Sequence, residues 1–256
     1  MEFTAAIVRD PCRNMVNGLT TANLGFPDYE ISLKQHNGYI NSLKSCGLTV
    51  HRMKADENYP DSCFIEDTAI VNEDLAVLCA MSEPSRSGEV NSVQLKLLEF
   101  YSQENICKII SPGTLDGGDI MRVENTYYVG LSNRTNLEGA KQFRKFLSRF
   151  GFSVEFVKFT HCLHLKSEVN YLGNGVLILS KEFQKNPLFQ KYEWITVEKQ
   201  ELYAANSLRI NKKVITPTGF PIIKQNLIDY GYDIIELNMS EFQKLDGGLS
   251  CLSLRF

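Results

Sequence analysis

The sequence has no long apolar run, no basic tract and no low-complexity segment, and each absence excludes a class of protein. Its apolar runs fall well short of the roughly 20 residues that cross a bilayer, so we expect no membrane partner. A net charge of −3 without a basic stripe gives nucleic-acid binding no electrostatic support. Because linker-like Gly/Ser or Pro runs are also missing, we expect residues 1–256 to form a single domain.

The seven cysteines include no CxxC pair and are scattered through the chain, mostly inside apolar runs. This usage indicates reduced thiols, not a disulfide framework or a zinc site. The first residues lack a basic stretch followed by an apolar one, so no signal peptide is predicted. Both observations favour a cytoplasmic protein.

Three segments repeat one order of elements: a helix end, a glycine and a strand. They are residues 40–50, 146–154 and 226–234, and a looser copy without the glycine covers residues 95–110. Gly47, Gly151 and Gly231 stand where a helix C-terminus favours a left-handed residue. The apolar or alternating residues that follow are typical of strands.

Hairpin patterns lie between these copies, each a pair of short apolar runs around a polar turn. The turns are residues 72–74, 124–125, 173–175 and 211–213. The spacing of about 50 residues predicts five modules of hairpin, helix and strand, and periods of that size are typical of propellers or solenoids. Strands at residues 5–8 and 249–254 would pair and close a ring. Periodicity alone leaves an ordinary α/β sandwich equally open.

Cys251 is the first candidate for chemistry, because Gly247 and Gly248 bring the backbone close to whatever the thiol faces. The alternative is a buried small apolar residue, which most free cysteines are. The Asp-Gly-Gly sequence at residues 246–248 is echoed at 116–118. If the modules surround one axis, Asp116 and Cys251 face it together; otherwise Asp-Gly-Gly is an ordinary hairpin-entry turn.

His164 is the histidine best placed for chemistry, between Leu163 and Leu165 in an alternating stretch. His36, in a polar helical stretch, is expected to be solvated. His161 lies three residues from His164, which is a poor spacing for chelation from a strand. Since a metal site needs more ligands than this, no metal is predicted.

Three carboxylates precede an apolar strand: Asp61, Glu66 and Asp67. Such density is costly when buried without a cationic partner, so the segment is either a solvated loop or a binding site for a guanidinium or ammonium group. Arg86 and Arg134 lie in polar loops and are candidate carboxylate binders, although surface arginines are common.

Together these motifs resemble the dimethylarginine dimethylaminohydrolase family, most closely its bacterial branch. The resemblance covers essentially the whole chain in order, and the segments that carry it are residues 17–20, 24–29, 60–67, 86–89, 112–119, 132–136, 163–166 and 246–256. It implies the five-bladed, pseudo-symmetric α/β propeller of the guanidine-modifying (pentein) superfamily, built from ββαβ modules. It also implies hydrolysis of methylated free arginine to citrulline and a methylated amine, with no cofactor.

The resemblance assigns roles residue by residue. Cys251 matches the nucleophile, His164 the general acid/base, Asp116 the carboxylate that steadies His164 and the guanidinium, and Asp67 the carboxylate that grips the guanidinium nitrogens. The remaining positions match substrate-binding residues: Asp61 and Glu66 as acids, Arg86 and Arg134 as the clamp on the α-carboxylate, and the backbone carbonyls of Leu19 and Leu245 for the α-ammonium group. Some bacterial relatives carry Glu where this chain has Asp116, so the contact with His164 depends here on a shorter side chain.

Two other readings remain. Arginine deiminases and amidinotransferases share the Asp-Gly-Gly-Asp, His and Cys framework, although the short loop at Leu19 favours the dimethylarginine branch. A non-catalytic ligand-binding propeller is the second, and the presence of Cys251, His164 and two carboxylates argues against it. A propeller flank also offers a surface for a homodimer.

Overall fold

A computed structural model describes residues 2–256, which contain fifteen short strands. In chain order these are β1 (Ala5–Arg9), β2 (Thr49–Met53), β3 (Ala69–Val71), β4 (Ala76–Leu78), β5 (Ile106–Lys108), β6 (Ile120–Val123), β7 (Thr126–Leu131), β8 (Ser153–Lys158), β9 (Val169–Gly173), β10 (Val176–Ser180), β11 (Glu193–Val197), β12 (Leu208–Ile210), β13 (Lys213–Pro217), β14 (Asp233–Leu237) and β15 (Leu254–Arg255). The helices are α1 (Tyr29–Ser45), α2 (Glu89–Leu97), α3 (Leu137–Ser148), α4 (Lys181–Gln184), α5 (Pro221–Asp229) and α6 (Ser240–Gln243).

The strands form five sheets of three strands each. In each sheet the middle strand pairs antiparallel with one neighbour and parallel with the other, and a helix lies in the parallel crossover. In the sheet formed by β6, β7 and β8, for example, Ile120 lies opposite Val129 and Tyr127 lies beside Val154. The predicted five ββαβ modules are therefore confirmed.

The two ends of the chain close the ring within one sheet, as predicted. Strand β1 lies between β15 and β2, with Ala6 opposite Arg255 and Val50. The expected strand at residues 249–254 is wrong over most of its length. Ser250–Leu252 is a single turn of 3-10 helix, and only Leu254–Arg255 pairs.

The helix–glycine–strand repeat is present where it was expected. Gly47, Gly151 and Gly231 have φ of 95°, 78° and 86° and join a helix to the strand that follows. The module without a recognised copy contains α4, which is only four residues long. Asn186–Pro187 follows it, and a proline cannot continue a helix. This module therefore leaves no helical period in the sequence.

Apolar side chains fill the space between the sheets and their helices in four clusters, which involve strands from all five sheets. His36 belongs to this interior and is fully buried near Phe242, so its expected solvation is wrong. Burial lowers the pKa of His36 to about 3, which keeps the ring neutral. Among the helices of residues 2–256, none combines the length and apolarity of a membrane span.

Candidate active site

Five short turns of 3-10 helix, each just before the first strand of a hairpin or before β15, meet around the centre of the molecule. They are Ile65–Thr68, Gly117–Asp119, Leu165–Ser167, Lys199–Asn206 and Ser250–Leu252. Neighbouring turns are in contact, and Asn206 closes the ring by accepting a hydrogen bond from the Ser250 amide at 2.8 Å. Candidate residues lie in or beside four of these turns, which explains how positions far apart in sequence converge.

The two Asp-Gly-Gly segments are not equivalent within this ring. Asp116 directly precedes its turn, whereas Asp246 lies four residues before Ser250 and has a left-handed φ of 57°. The expectation that they occupy similar places is therefore wrong, although Asp116 and Cys251 do belong to neighbouring parts of one centre. The turn Ser250–Leu252, which contains Cys251, occupies the place in its module that the turn after Asp116 occupies in its own.

A cavity of about 200 Å³ opens at this centre. Eight of the ten predicted site residues line it: Leu19, Asp61, Asp67, Arg86, Arg134, His164, Leu245 and Cys251. Thr20, Thr21, Phe64, Leu163, Asp246 and Gly247 complete its wall. None of these six was predicted as a site residue, although all except Thr21 lie beside a candidate or in a segment that carries the family resemblance.

Cys251 is half-buried, and its sulfur accepts a hydrogen bond from the Gly248 amide at 3.3 Å. Burial raises the pKa of the thiol, and the charges of Glu66 and Asp67 raise it further, to about 12. The free site therefore holds a thiol at neutral pH, and a thiolate requires added positive charge nearby. A Cβ on Gly248 would lie 2.5 Å from Asn206, so a glycine is needed for this close approach.

His164 is almost fully buried, and its Nε2 lies 3.4 Å from Oδ2 of Asp116. This contact is an ion pair without hydrogen-bond geometry, and both Asp116 oxygens lack a hydrogen-bond partner among the described residues. Burial acts to lower the pKa of His164, but Asp67, Asp119 and Asp116 outweigh it and raise the pKa to about 9. The imidazole is thus protonated in the free site and can serve as an acid.

Asp67 is held rigidly beside His164. Its Oδ1 accepts a hydrogen bond from the Gly118 amide at 2.9 Å, and its Oδ2 pairs with Arg86 at 2.7 Å. Although burial raises the pKa of Asp67, His164 and Arg86 lower it to about 2. An ionised, buried carboxylate therefore faces the cavity. A Cβ on Gly118 would lie 2.6 Å from Nδ1 of His164, so only glycine permits this packing.

The two candidate arginines differ in their surroundings. Arg86 is buried, not on the surface, and its guanidinium binds Glu89 through Nε and Nη2 and Asp67 through Nη1. Together with bonds to the carbonyls of residues 61 and 64, these contacts leave one Nη1 hydrogen free among the described residues. Arg134 is more exposed and makes a looser contact of 3.6 Å with Glu83.

Asp61 anchors the loop that forms one wall of the cavity. Its carboxylate accepts the Leu19 amide at 3.0 and 3.2 Å, and burial raises the pKa of Asp61. The loop continues to Thr21, whose hydroxyl donates to Asp246 at 3.0 Å. Leu19 and Leu245 both line the cavity.

Glu66 is placed differently from the sequence prediction. It is buried, accepts charged hydrogen bonds from Lys166 and Arg255 at 2.6 and 2.7 Å and accepts the Ser250 hydroxyl at 2.7 Å. It borders a second cavity that is lined also by Lys166 and Arg255, not the cavity of Cys251. Since both oxygens are engaged, Glu66 supports the turn of Cys251, and it is not among the residues that line the cavity of Cys251.

Sequence reasoning missed the residues that position the reacting groups. Asp119 accepts the Leu165 amide at 3.0 Å and the hydroxyls of Ser132 and Thr135, which fixes the backbone next to His164. Asn206 holds the turn of Cys251 through Ser250. Asp119 was visible as the last residue of Asp-Gly-Gly-Asp, whereas nothing in the sequence around Asn206 distinguishes it.

The sequence is similar to those of known proteins over nearly all of the chain. Residues 28–252 match the family model described as N,N dimethylarginine dimethylhydrolase, eukaryotic. The dimethylarginine dimethylaminohydrolase of Pseudomonas aeruginosa is 39% identical over 254 residues, which are 99% of this chain and 100% of that protein. This chain belongs to the dimethylarginine dimethylaminohydrolase family.

Solved structures of dimethylarginine dimethylaminohydrolases have the same fold, and the first is that of the Pseudomonas aeruginosa protein. A cysteine-to-serine variant complexed with citrulline superposes with a TM-score of 0.98 at 39% identity, covering 100% of both chains. A histidine-to-glycine variant, an adduct with S-methyl-L-thiocitrulline, gives a TM-score of 0.97 at 39% identity, with 99% of this chain and 100% of that one covered. The five-bladed propeller of this family is thereby established for the chain.

Proposed function

We propose that this protein hydrolyses free Nω-methylated L-arginine to L-citrulline and dimethylamine or methylamine, with Cys251 as the nucleophile. The observation that carries the proposal is the carboxylate pair beside His164. Asp67 is ionised, and Asp116 is fully buried with neither oxygen in a hydrogen bond among residues 2–256, although Nε2 of His164 lies 3.4 Å from one of them. A buried carboxylate without a donor is costly, and a planar cation with several N–H groups supplies both the charge and the donors.

The first half of the reaction forms a covalent intermediate. As the guanidinium binds, Cys251 loses its proton to solvent, and the thiolate attacks the guanidinium carbon. The bond from that carbon to the methylated nitrogen breaks, and the imidazolium of His164 gives its proton to the departing amine. A cationic thiouronium on Cys251 and a neutral His164 remain.

The second half restores the protein. Neutral His164 takes a proton from water, and the hydroxide adds to the thiouronium carbon. The carbon–sulfur bond then breaks, the proton of the new hydroxyl returns to sulfur, and citrulline leaves. His164 is again an imidazolium, so it acts once as acid and once as base.

Substrate selection follows from the charged and backbone groups that line the cavity. We propose that Arg134 and the free Nη1 hydrogen of Arg86 bind the α-carboxylate, while the carbonyls of Leu19 and Leu245 accept the α-ammonium group. A peptidyl arginine has neither charged group and would bind weakly. Asp61 contributes by fixing the Leu19 loop.

The test is citrulline release from asymmetric dimethylarginine and from arginine, by the wild type and by Cys251→Ser. We expect release from the methylated substrate that is lost in the variant. Cys107→Ser, which removes another half-buried thiol, is the matched control and should retain activity. Citrulline from arginine alone would identify a deiminase, and no citrulline from either substrate would refute the hydrolase.

Three further properties stay predictions. Because the site draws on residues from Leu19 to Cys251, we propose that residues 1–256 act as one catalytic domain, which a single cooperative unfolding transition would support. We also propose a homodimer and a cytoplasmic location. Light scattering on the purified protein tests the homodimer, and cell fractionation tests the cytoplasmic location.

A further inference from the structure

A second group of reactive side chains lies outside the active-site cavity, on the segment that carries His164. His161 and Cys162 precede His164 in the loop after β8, and Glu168 follows the turn Leu165–Ser167. A ring nitrogen of His161, the sulfur of Cys162 and a carboxylate oxygen of Glu168 all lie within 4.8 Å of one another. Nε2 of His161 is 3.2 Å from Oε2 of Glu168.

These three atom types are the ones that bind zinc in proteins. Metal–ligand distances of about 2.0–2.3 Å in a tetrahedral site place ligand atoms roughly 3.3–3.8 Å apart. The observed separations reach this geometry with small side-chain movements. Three protein ligands would leave a fourth position for water, the pattern of an exchangeable site and not of a closed structural one.

The ligands are supported by their neighbours. The ring of His161 packs against Phe183 and Phe159, with centroids 4.9 and 6.0 Å away, which fixes the direction of Nε2. The Ser180 hydroxyl donates to Oε2 of buried Glu168 at 2.6 Å. Outer hydrogen bonds of this kind orient metal ligands. The His161 side chain is 34% exposed, so an ion can enter from solvent.

We propose that His161, Cys162 and Glu168 form a binding site for Zn²⁺ or a similar borderline-soft divalent ion. The sequence-based prediction of no metal site considered only the spacing of His161 and His164. The fold instead brings Glu168 close to His161 and Cys162, which gives three ligands. On binding, the Cys162 proton passes to solvent as the sulfur–metal bond forms, with no change in oxidation state. The hydrogen bond from Cys162 to the carbonyl oxygen of His164, 3.3 Å long, is then lost.

The experiment must separate this site from the active site, where Asp67, Asp116 and His164 also lie within 4.8 Å of one another. We would therefore use the full chain with Cys251→Ser and Asp116→Asn, which removes the active-site sulfur and one carboxylate of that group, and titrate Zn²⁺ against a chromophoric chelator. Since this measures binding alone, it is independent of whether the proposed hydrolysis is correct.

We expect one bound equivalent in the Cys251→Ser/Asp116→Asn protein and an affinity at least about tenfold lower when His161→Gln is added. His51→Gln is the matched control, because His51 is a half-buried histidine on β2, and it should not change the affinity. Co²⁺ provides a second readout, since thiolate ligation gives a charge-transfer band that Cys162→Ser should abolish. Unchanged affinity in His161→Gln, an unchanged cobalt band in Cys162→Ser, or no bound Zn²⁺ would overturn the proposal.

Discussion

Gly118→Ala gives the sharpest test of the active-site geometry, because the effect can be worked out from one contact. The added Cβ would lie 2.6 Å from Nδ1 of His164 and 2.9 Å from Oδ1 of Asp67, whereas ordinary contacts begin at 3.4 Å. The imidazole must therefore retreat by about 0.8 Å. A misplacement of about 1 Å can cost 10²-fold in rate, or about 2.7 kcal/mol in the barrier.

We expect kcat for citrulline release to fall about 10²-fold, with a smaller change in KM because the atoms nearest to the new methyl group belong to His164 and Asp67, not to Arg134 or the Leu19 loop. Overpacking should also lower the free energy of unfolding by about 1–3 kcal/mol, measurable by urea denaturation. Since Gly118 is not among the glycines with positive φ, an alanine is not strained by its own backbone.

The matched control is Gly38→Ala in α1, where the nearest atom to the added Cβ is Cδ2 of Leu237 at 3.9 Å. This change should leave kcat unaltered and stabilise the helix by about 0.5–1 kcal/mol. A Gly118→Ala protein with the kcat of the wild type would refute the reasoning. It would show that the position of His164 is not fixed by this contact.

Three other predictions follow from the same charges. With a pKa of about 9 in the free protein, the imidazole of His164 should lose its proton near pH 9, measurable by NMR of the ring, and Asp67→Asn should move this titration to lower pH because a carboxylate that raises the pKa is removed. With a pKa of about 12 for Cys251, its alkylation by iodoacetamide in the free protein should accelerate about tenfold per pH unit between about pH 7 and 10, and a plateau near pH 8 would contradict the burial argument. Asp119→Asn should lower the free energy of unfolding by about 1–3 kcal/mol in urea and reduce kcat more than it changes KM, because its carboxylate anchors the backbone beside His164. Exposed Asp229→Asn should stay within about 0.5 kcal/mol of the wild type in the same assay.

The fold could be predicted where local signals were strong. Gly47, Gly151 and Gly231 each mark a helix end, because the backbone there has a positive φ that glycine adopts without strain. The module of α4 left no such signal because its helix is a single turn. Pairing between β1 and β15 is a contact between chain ends, so only the expectation of a closed ring could suggest it.

The site could be predicted where a motif carried the chemistry, and not where the role depends on partners. Cys251, His164 and Asp67 stand in recognisable segments and line one cavity. Glu66 stands in the same segment as Asp67. Asp67 faces the cavity, whereas Glu66 faces Lys166. Adjacent residues in a turn point in different directions, and sequence gives no measure of which one meets the ligand.

The charges of the free site explain why the nucleophile is active only with a cationic ligand. Asp67 binds a guanidinium and, by the same negative charge, helps to hold the pKa of Cys251 at about 12. A cation at about 4 Å contributes roughly 4 kcal/mol at an effective dielectric constant of 20, which is about three pKa units at 1.4 kcal/mol each. The pKa of Cys251 falls accordingly, so a thiolate becomes accessible while the guanidinium is bound. Citrulline carries no charge on its ureido group, so its formation removes the cation that sustained the thiolate, and Cys251 returns to the unreactive thiol as the product leaves.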